Sequence, residues 1–232
     1  MRRRLALLAL AALALTAGCA GGVSEERLSE NATYDWESDT TAKINITGNE
    51  YHAVYRVGAN ESLEIYRLDD LGGEQPVPVS ALRFRYPNGT VVGPDRLGVE
   101  EEGSRVVVTP PAAGRVGYTG PTRPKSFATP ALVAGSYEVV LPPGMRIGVP
   151  LLGTISPGGY ERTIEADGRT HLRWDDLDRG TEIELQYYLQ RDLYIFAGLL
   201  VALAVVAVVG VLYFRRQIRA LAAQREATDI ED

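Results

Sequence analysis

Cysteine occurs once in the 232 residues, at Cys19. A single thiol excludes any disulfide within the chain and any zinc site built on cysteine pairs. Histidine is almost as scarce, with His52 and His171 about 120 residues apart, each in a strand-like context. Neither lies in an H-E-x-x-H pattern, and the chain has no G-x-S-x-G elbow and no P-loop. Both histidines therefore read as structural strand residues, and the sequence predicts no catalytic residues, no enzyme activity and no cofactor. Lysine is confined to Lys43 and Lys125, against 22 arginines. Between the two apolar runs described next, no stretch of about ten residues holds a helical period, which excludes a helical bundle.

What the chain does have is a run of 22 uncharged residues, Leu193 to Phe214. At about 1.5 Å per residue a helix of that length reaches roughly 33 Å, enough for a hydrocarbon core of about 30 Å. Arg215, Arg216, Arg219 and Arg225 follow it, while the upstream flank is the mixed pair Arg191-Asp192. Arginine excess marks the cytoplasmic side. The expected topology is thus a single-pass cell-membrane protein with residues 193–214 as the span, 215–232 as a cytoplasmic tail, and everything upstream outside. Tyr187, Tyr188 and Tyr194 at the outer end, and Tyr213 with Arg215 and Arg216 at the inner end, fit the interfacial belts that amphipathic rings and basic residues form. Gly198 and Ala202 make one small-xxx-small pair on the span.

The N-terminus agrees with that orientation. Arg2-Arg3-Arg4 precede a short apolar core and the small residues Gly18-Cys19-Ala20-Gly21-Gly22. This is the plan of an export signal, residues 1–18, too short to remain as a span. Leu15-Thr16-Ala17-Gly18-Cys19 resembles a lipoprotein signal box, which implies a diacylglyceryl group on the Cys19 sulfur and a lipid-anchored linker over 19–30. Thr16 stands where that pattern has a large aliphatic residue.

Four of the five asparagines, Asn31, Asn45, Asn60 and Asn88, lie in N-x-S/T sequons, all between Cys19 and the span. They are candidate N-glycosylation sites and read as a surface-exposed ectodomain. Residues 20–192 carry 26 Asp and Glu against 17 Lys and Arg. That balance supplies no basic stripe for nucleic acid, and the expected partners are membrane lipid and a membrane protein.

The ectodomain reads as β throughout. Segments rich in Val, Ile, Tyr and Thr predict strands at 43–47, 50–57, 62–68, 79–86, 105–109, 115–119, 136–141, 160–166, 169–174 and 181–189. Pro87-Asn88-Gly89 and Asp167-Gly168 read as hairpin turns, because Asn and Gly tolerate the positive φ that tight turns need. The expected fold class is mainly β, with one or two β-sandwich-like modules before a single C-terminal transmembrane helix. A boundary is expected in the Pro- and Gly-rich stretch 110–134, dividing an N-terminal β domain (31–134) from a juxtamembrane β domain (135–192). One composite domain is the alternative. Asp175, Asp176 and Asp178 before Gly180 are the candidate calcium ligands, against a plain solvated turn; Glu100-Glu101-Glu102 reads as a wet loop.

Taken whole, the signal box, β ectodomain, single span and Arg-rich tail resemble an uncharacterised family of haloarchaeal surface proteins, most recognisably from Trp174-Asp175-Asp176-Leu177 through Tyr187-Tyr188-Leu189-Gln190-Arg191-Asp192 and the span. The acidic, lysine-poor surface is similar to that of haloarchaeal proteins. No activity comes with the resemblance. The sequence leaves three readings: a membrane-tethered scaffold or accessory subunit, an extracytoplasmic ligand sensor with a cleft between two β domains, and, third, a surface hydrolase.

Overall fold

The computed structural model describes residues 23–148 and 153–228. The expected signal segment and Cys19 lie outside these residues. The chain divides into two units, one ending at Tyr187 and one beginning at Tyr188.

The first unit opens with a five-residue helix, α1 (Glu25–Ser29). Sixteen strands follow: β1 (Ala42–Thr47), β2 (Glu50–Val57), β3 (Leu63–Leu68), β4 (Glu74–Pro76), β5 (Ser80–Arg85), β6 (Val91–Val92), β7 (Gly98–Glu102), β8 (Arg105–Thr109), β9 (Gly114–Pro121), β10 (Ser126–Pro130), β11 (Gly135–Val140), β12 (Met145–Arg146), β13 (Ile155–Ser156), β14 (Glu161–Ile164), β15 (Thr170–Leu177) and β16 (Glu182–Gln186). Eight of them form a large sheet in the order β14-β15-β11-β1-β2-β9-β5-β6. Two smaller sheets, β4-β3-β8-β7 and β10-β16-β13, complete the framework.

Alternation decides which face is buried, because successive strand residues point to opposite sides. On β1, Ala42, Ile44 and Ile46 are fully buried while Lys43 and Asn45 face the other way. On β16, Ile183 and Leu185 are buried between exposed Glu182, Glu184 and Gln186. The inward residues of all three sheets meet in one cluster, with Tyr55, Tyr118, Tyr137, Phe84 and Trp174 its largest members. Tyr55 stacks parallel to Tyr118 at 6.0 Å between ring centroids, and Tyr137 meets Tyr55 edge-on. Burial raises the phenols of Tyr55 and Tyr118 well above their ordinary value, so both remain neutral.

The expected boundary between residues 134 and 135 falls inside this one sheet and core. β11, just past it, lies parallel to β1 (Ala42↔Tyr137 to Asn45↔Val140) and antiparallel to β15. Phe127 and its neighbours, expected in the linker, form β10 and pair with β16. The Pro/Gly punctuation that suggested a linker instead bounds a short strand. Both expected hairpin turns are present, with Gly89 at φ 89° and Gly168 at φ 74°. Glu100-Glu101-Glu102 belongs to β7, an edge strand whose backbone pairs with β8 while its carboxylates are exposed. Tyr187, expected at the membrane interface, is 2% exposed within the core cluster.

The second unit holds a two-residue strand, Tyr188–Leu189, and a 39-residue helix, α2 (Gln190–Thr228). Within its stretch Gln190–Arg219, an 18-residue window has a mean hydropathy of 3.0, and none of that window is buried against protein. It is long and apolar enough to cross a membrane. Tyr194 and Tyr213 are exposed on it, each accepting a hydrogen bond from a glutamine four residues away.

Trp174 ties β15 to the core and donates its indole N–H to the Pro157 carbonyl at 3.1 Å. Trp174→Ala is expected to cost about 3–5 kcal/mol in equilibrium denaturation; a loss below about 1 kcal/mol would show that the ring does not organise this core.

Candidate functional site

The outer face of the large sheet is unusually basic for so acidic a chain. Lys43 on β1, Arg56 on β2, Arg115 on β9, Arg83 and Arg85 on β5, and Arg173 on β15 all alternate away from the core. Residues 31–40 run across this face as an extended strap. Asp35 reaches Lys43 at 2.7 Å, Glu37 reaches Arg85 at 2.7 Å, and Asp39 takes a two-point contact from Arg173 at 2.9 and 3.1 Å. The Arg173 guanidinium holds the Asp39 carboxyl below its usual range. Arg83 secures the start of the strap by donating to the carbonyls of Leu28, Ser29 and Glu30, which the short helix leaves unpaired.

Two aromatic rings bed the strap down. Tyr34 is buried and donates its hydroxyl to the Ala81 carbonyl at 2.6 Å, with the Thr119 hydroxyl at 3.0 Å. Burial pushes its phenol up to about 12. Trp36 packs edge-on to Tyr34 at 5.3 Å. Both rings lie over Gly117, where an added Cβ would meet Trp36 at 2.8 Å and Tyr34 at 3.0 Å. The glycine is what lets the strap lie this close.

At one end of the strap a cleft of about 1060 Å³ opens, lined among others by Trp36, Arg56, Arg85, Tyr86, Arg115 and Arg179. Strand register explains the concentration of arginine: Arg56 is the cross-strand partner of Arg115, and Arg115 that of Arg85. Like charges directly opposite each other are destabilising. The internal compensation is partial. Arg85 has Glu37, Arg115 donates to the Ser38 carbonyl, and Arg179 is held by Glu64 at 2.9 Å. The Arg56 side chain is exposed, and its guanidinium makes no hydrogen bond or ion pair among the described residues. Burial, then the charge of Arg56, lowers the pKa of Arg115.

The candidate residues from the sequence are scattered. Asp175 and Asp176 are exposed on β15, where two residues oppose the single Ser136 of β11, a β-bulge. Asp178 is exposed in the turn to β16. The carboxylate and imidazole atoms that do converge, within 4.8 Å, belong to Glu138, Glu165 and His171, and include none of the three aspartates. His171 Nδ1 lies 2.7 Å from Glu138 and 3.6 Å from Glu165, and its Nε2 3.7 Å from Asp167. A nitrogen and two carboxylates suit a divalent cation, yet Lys43, 3.5 Å from Glu138, already supplies positive charge. The grouping follows from the β14–β15 hairpin, which folds Glu165 and Asp167 back beside His171. His52 contacts the Thr33 carbonyl and Glu50, as a structural residue would. Asn31, Asn60 and Asn88 are exposed, whereas Asn45 is half-buried on β1 and accepts from Arg169 at 2.6 Å.

Sequence reasoning missed the strap and the arginine row. The strap had a signal, the acids Asp35, Glu37 and Asp39 at every second position. The row had none, because only pairing brings its members together.

The fold and site define a mainly β domain with a basic outer face, followed by an apolar helix of membrane-spanning length. Residues 38–232 match the model of DUF5803, a family of unknown function, and the chain belongs to that family. No curated protein matches the chain.

Gly117→Ala is expected to lift the strap: amide exchange over 31–40 should rise, and stability should fall by about 1–3 kcal/mol. Unchanged exchange there would mean that the glycine is not what seats it. Glycopeptide mass spectrometry of protein from its own host should find glycan at Asn31, Asn60 or Asn88 but not at Asn45. Full occupancy of Asn45 would contradict its side-chain bond to Arg169.

Proposed function

We propose that the protein is a membrane-tethered, non-enzymatic binding domain of the cell envelope, with its β unit outside and its C-terminus in the cytoplasm. The orientation rests on Arg215, Arg216 and Arg219 after the apolar stretch and on Arg2 to Arg4 at the start. Cys19, lipidated after removal of residues 1–18, provides a second attachment. The acidic, lysine-poor surface suits a haloarchaeal envelope.

The observation that carries the binding reading is the open cleft of about 1060 Å³ with an arginine row on its wall. A cleft of this size, rimmed by polar groups and two aromatic rings, fits a ligand site. It lies within one β unit, not between two domains, so the ligand-binding reading no longer needs a domain boundary. It outranks the scaffold or accessory-subunit reading, which rests on the apolar helix, and the hydrolase reading, since among the described residues His52 and His171 contact a carbonyl and carboxylates and no nucleophile.

Two measurements test this. Protease added to intact cells should digest the β unit and spare a C-terminal tag; a digested tag with a protected β unit would reverse the topology. Native mass spectrometry of the full chain, released from its own membranes in mild detergent, should show added mass from a ligand or a partner. Recovery of only the bare chain, apart from its own lipid, would overturn the binding reading.

A further inference from the structure

The row Arg56–Arg115–Arg85 gathers three like charges with one ion-paired carboxylate among them. Its three members occupy directly opposed positions on adjacent strands, which lie about 4.8 Å apart. They point away from the core, into the cleft. The strap meets them with one carboxylate, Glu37, and one carbonyl, that of Ser38. Glu61, also on the lining, is turned to the Gly58 N–H at 2.8 Å, and Glu64 is taken by Arg105 and Arg179. Two guanidiniums, Arg56 and Arg115, thus stand side by side with no carboxylate in ion-pair contact among the described residues, though Glu37 and Asp35 act on Arg115 from farther away.

We propose that this row is an oxyanion site and that its ligand is a saccharide bearing a carboxylate or sulfate group. The proposal rests on the binding reading above and names its ligand class. A guanidinium offers paired N–H donors that match a planar carboxylate or the oxygens of a sulfate. Arg56 and Arg115 receive the anion, and Arg85 remains with Glu37. Trp36 and Tyr86, which also line the cleft, supply ring faces for the C–H side of a sugar, which inorganic anions cannot use. Nucleic acid is a poor fit, because three arginines in a chain with a formal net charge of −6 make no stripe to follow a phosphate backbone. Partial burial of Arg115 keeps the contact from being fully screened at high salt.

The test is calorimetric titration of the full chain in detergent with glucuronate and glucose 6-sulfate, against glucose, inorganic sulfate and inorganic phosphate. Saturable binding of at least one acidic sugar, and none of glucose, is expected. Arg56→Ala and Arg115→Ala should each weaken it on the order of tenfold or more, with melting temperature unchanged for the exposed Arg56. Arg56→Lys should restore it only in part. Glu37→Gln should tighten binding by freeing Arg85, which a purely structural row would not do. Inorganic sulfate or phosphate binding as tightly as the sugars would overturn the saccharide assignment. Failure of every anion, or arginine variants that bind like the parent, would overturn the oxyanion site. If native mass spectrometry still shows an added ligand in that case, the binding reading survives and only this inference falls.

Discussion

The parallel pairing of β1 with β11 is the contact on which the rest of the β unit depends. Parallel neighbours cannot be joined by a tight turn and need a long crossover. Here the crossover is most of the domain, from residue 48 to residue 134, and it contains the two strands β2 and β9 that carry the sheet onward. Because β11 is held on its other side by β15, the same pairing brings the C-terminal strands into the sheet. Lose it, and Tyr55 and Tyr118 no longer share a core with Tyr137, Leu172 and Trp174. Contacts this distant in sequence are slow to form.

Once the sheet is formed, its second face poses an electrostatic problem. The core side is apolar, and the opposite side carries Lys43, Arg56, Arg83, Arg85, Arg115 and Arg173 across the six strands from β15 to β5. The strap answers most of it with specific contacts: Asp35 to Lys43, Glu37 to Arg85, Asp39 to Arg173, the Asn31 side chain to Arg83 and the Ser38 carbonyl to Arg115. Exposed pairs of this kind contribute little each. The buried Tyr34 and the close seat on Gly117 are what fix the strap, and the ion pairs then follow from position. The order matters, since it makes the aromatic contacts the anchor and leaves the charges free to exchange partners.

What the sequence disclosed and what it hid divide along the range of the interactions. The turns at Pro87-Asn88-Gly89 and Asp167-Gly168 were legible because the turn chemistry is local, and the strands beside them were legible from alternation. The apolar helix needed only length and composition. β10 was hidden because Pro124 and Pro130 bracket it, and proline reads as punctuation whether or not a strand lies between. The Glu100–Glu102 segment misled in the opposite way: an edge strand needs only its backbone, so its side chains gave no β signal. Tyr187 looked interfacial by its closeness to the apolar run, but it is the next inward residue of the β16 alternation, after Ile183 and Leu185. The site was least legible of all. Arg56, Arg85 and Arg115 are separated by about thirty residues each, and nothing short of strand register predicts that they stand in line.

That register also explains why the row is arginine in a chain where cations are few and costly to crowd. A one-residue slip of β9 against β2 would turn Arg115 into the core and bring Val116 out, because side chains alternate with a period of two. Val116 and Tyr118 are fully buried and fix the register through the apolar face. The three guanidiniums are therefore held opposite one another by packing on the far side of the sheet, at the expense of their mutual repulsion. A fold that needed only solubility would place acids here, as it does on β7 and in the turn after β15. Holding like charges together in an open cleft, with one of them unpartnered, leaves positive potential that an anion from outside the chain can neutralise.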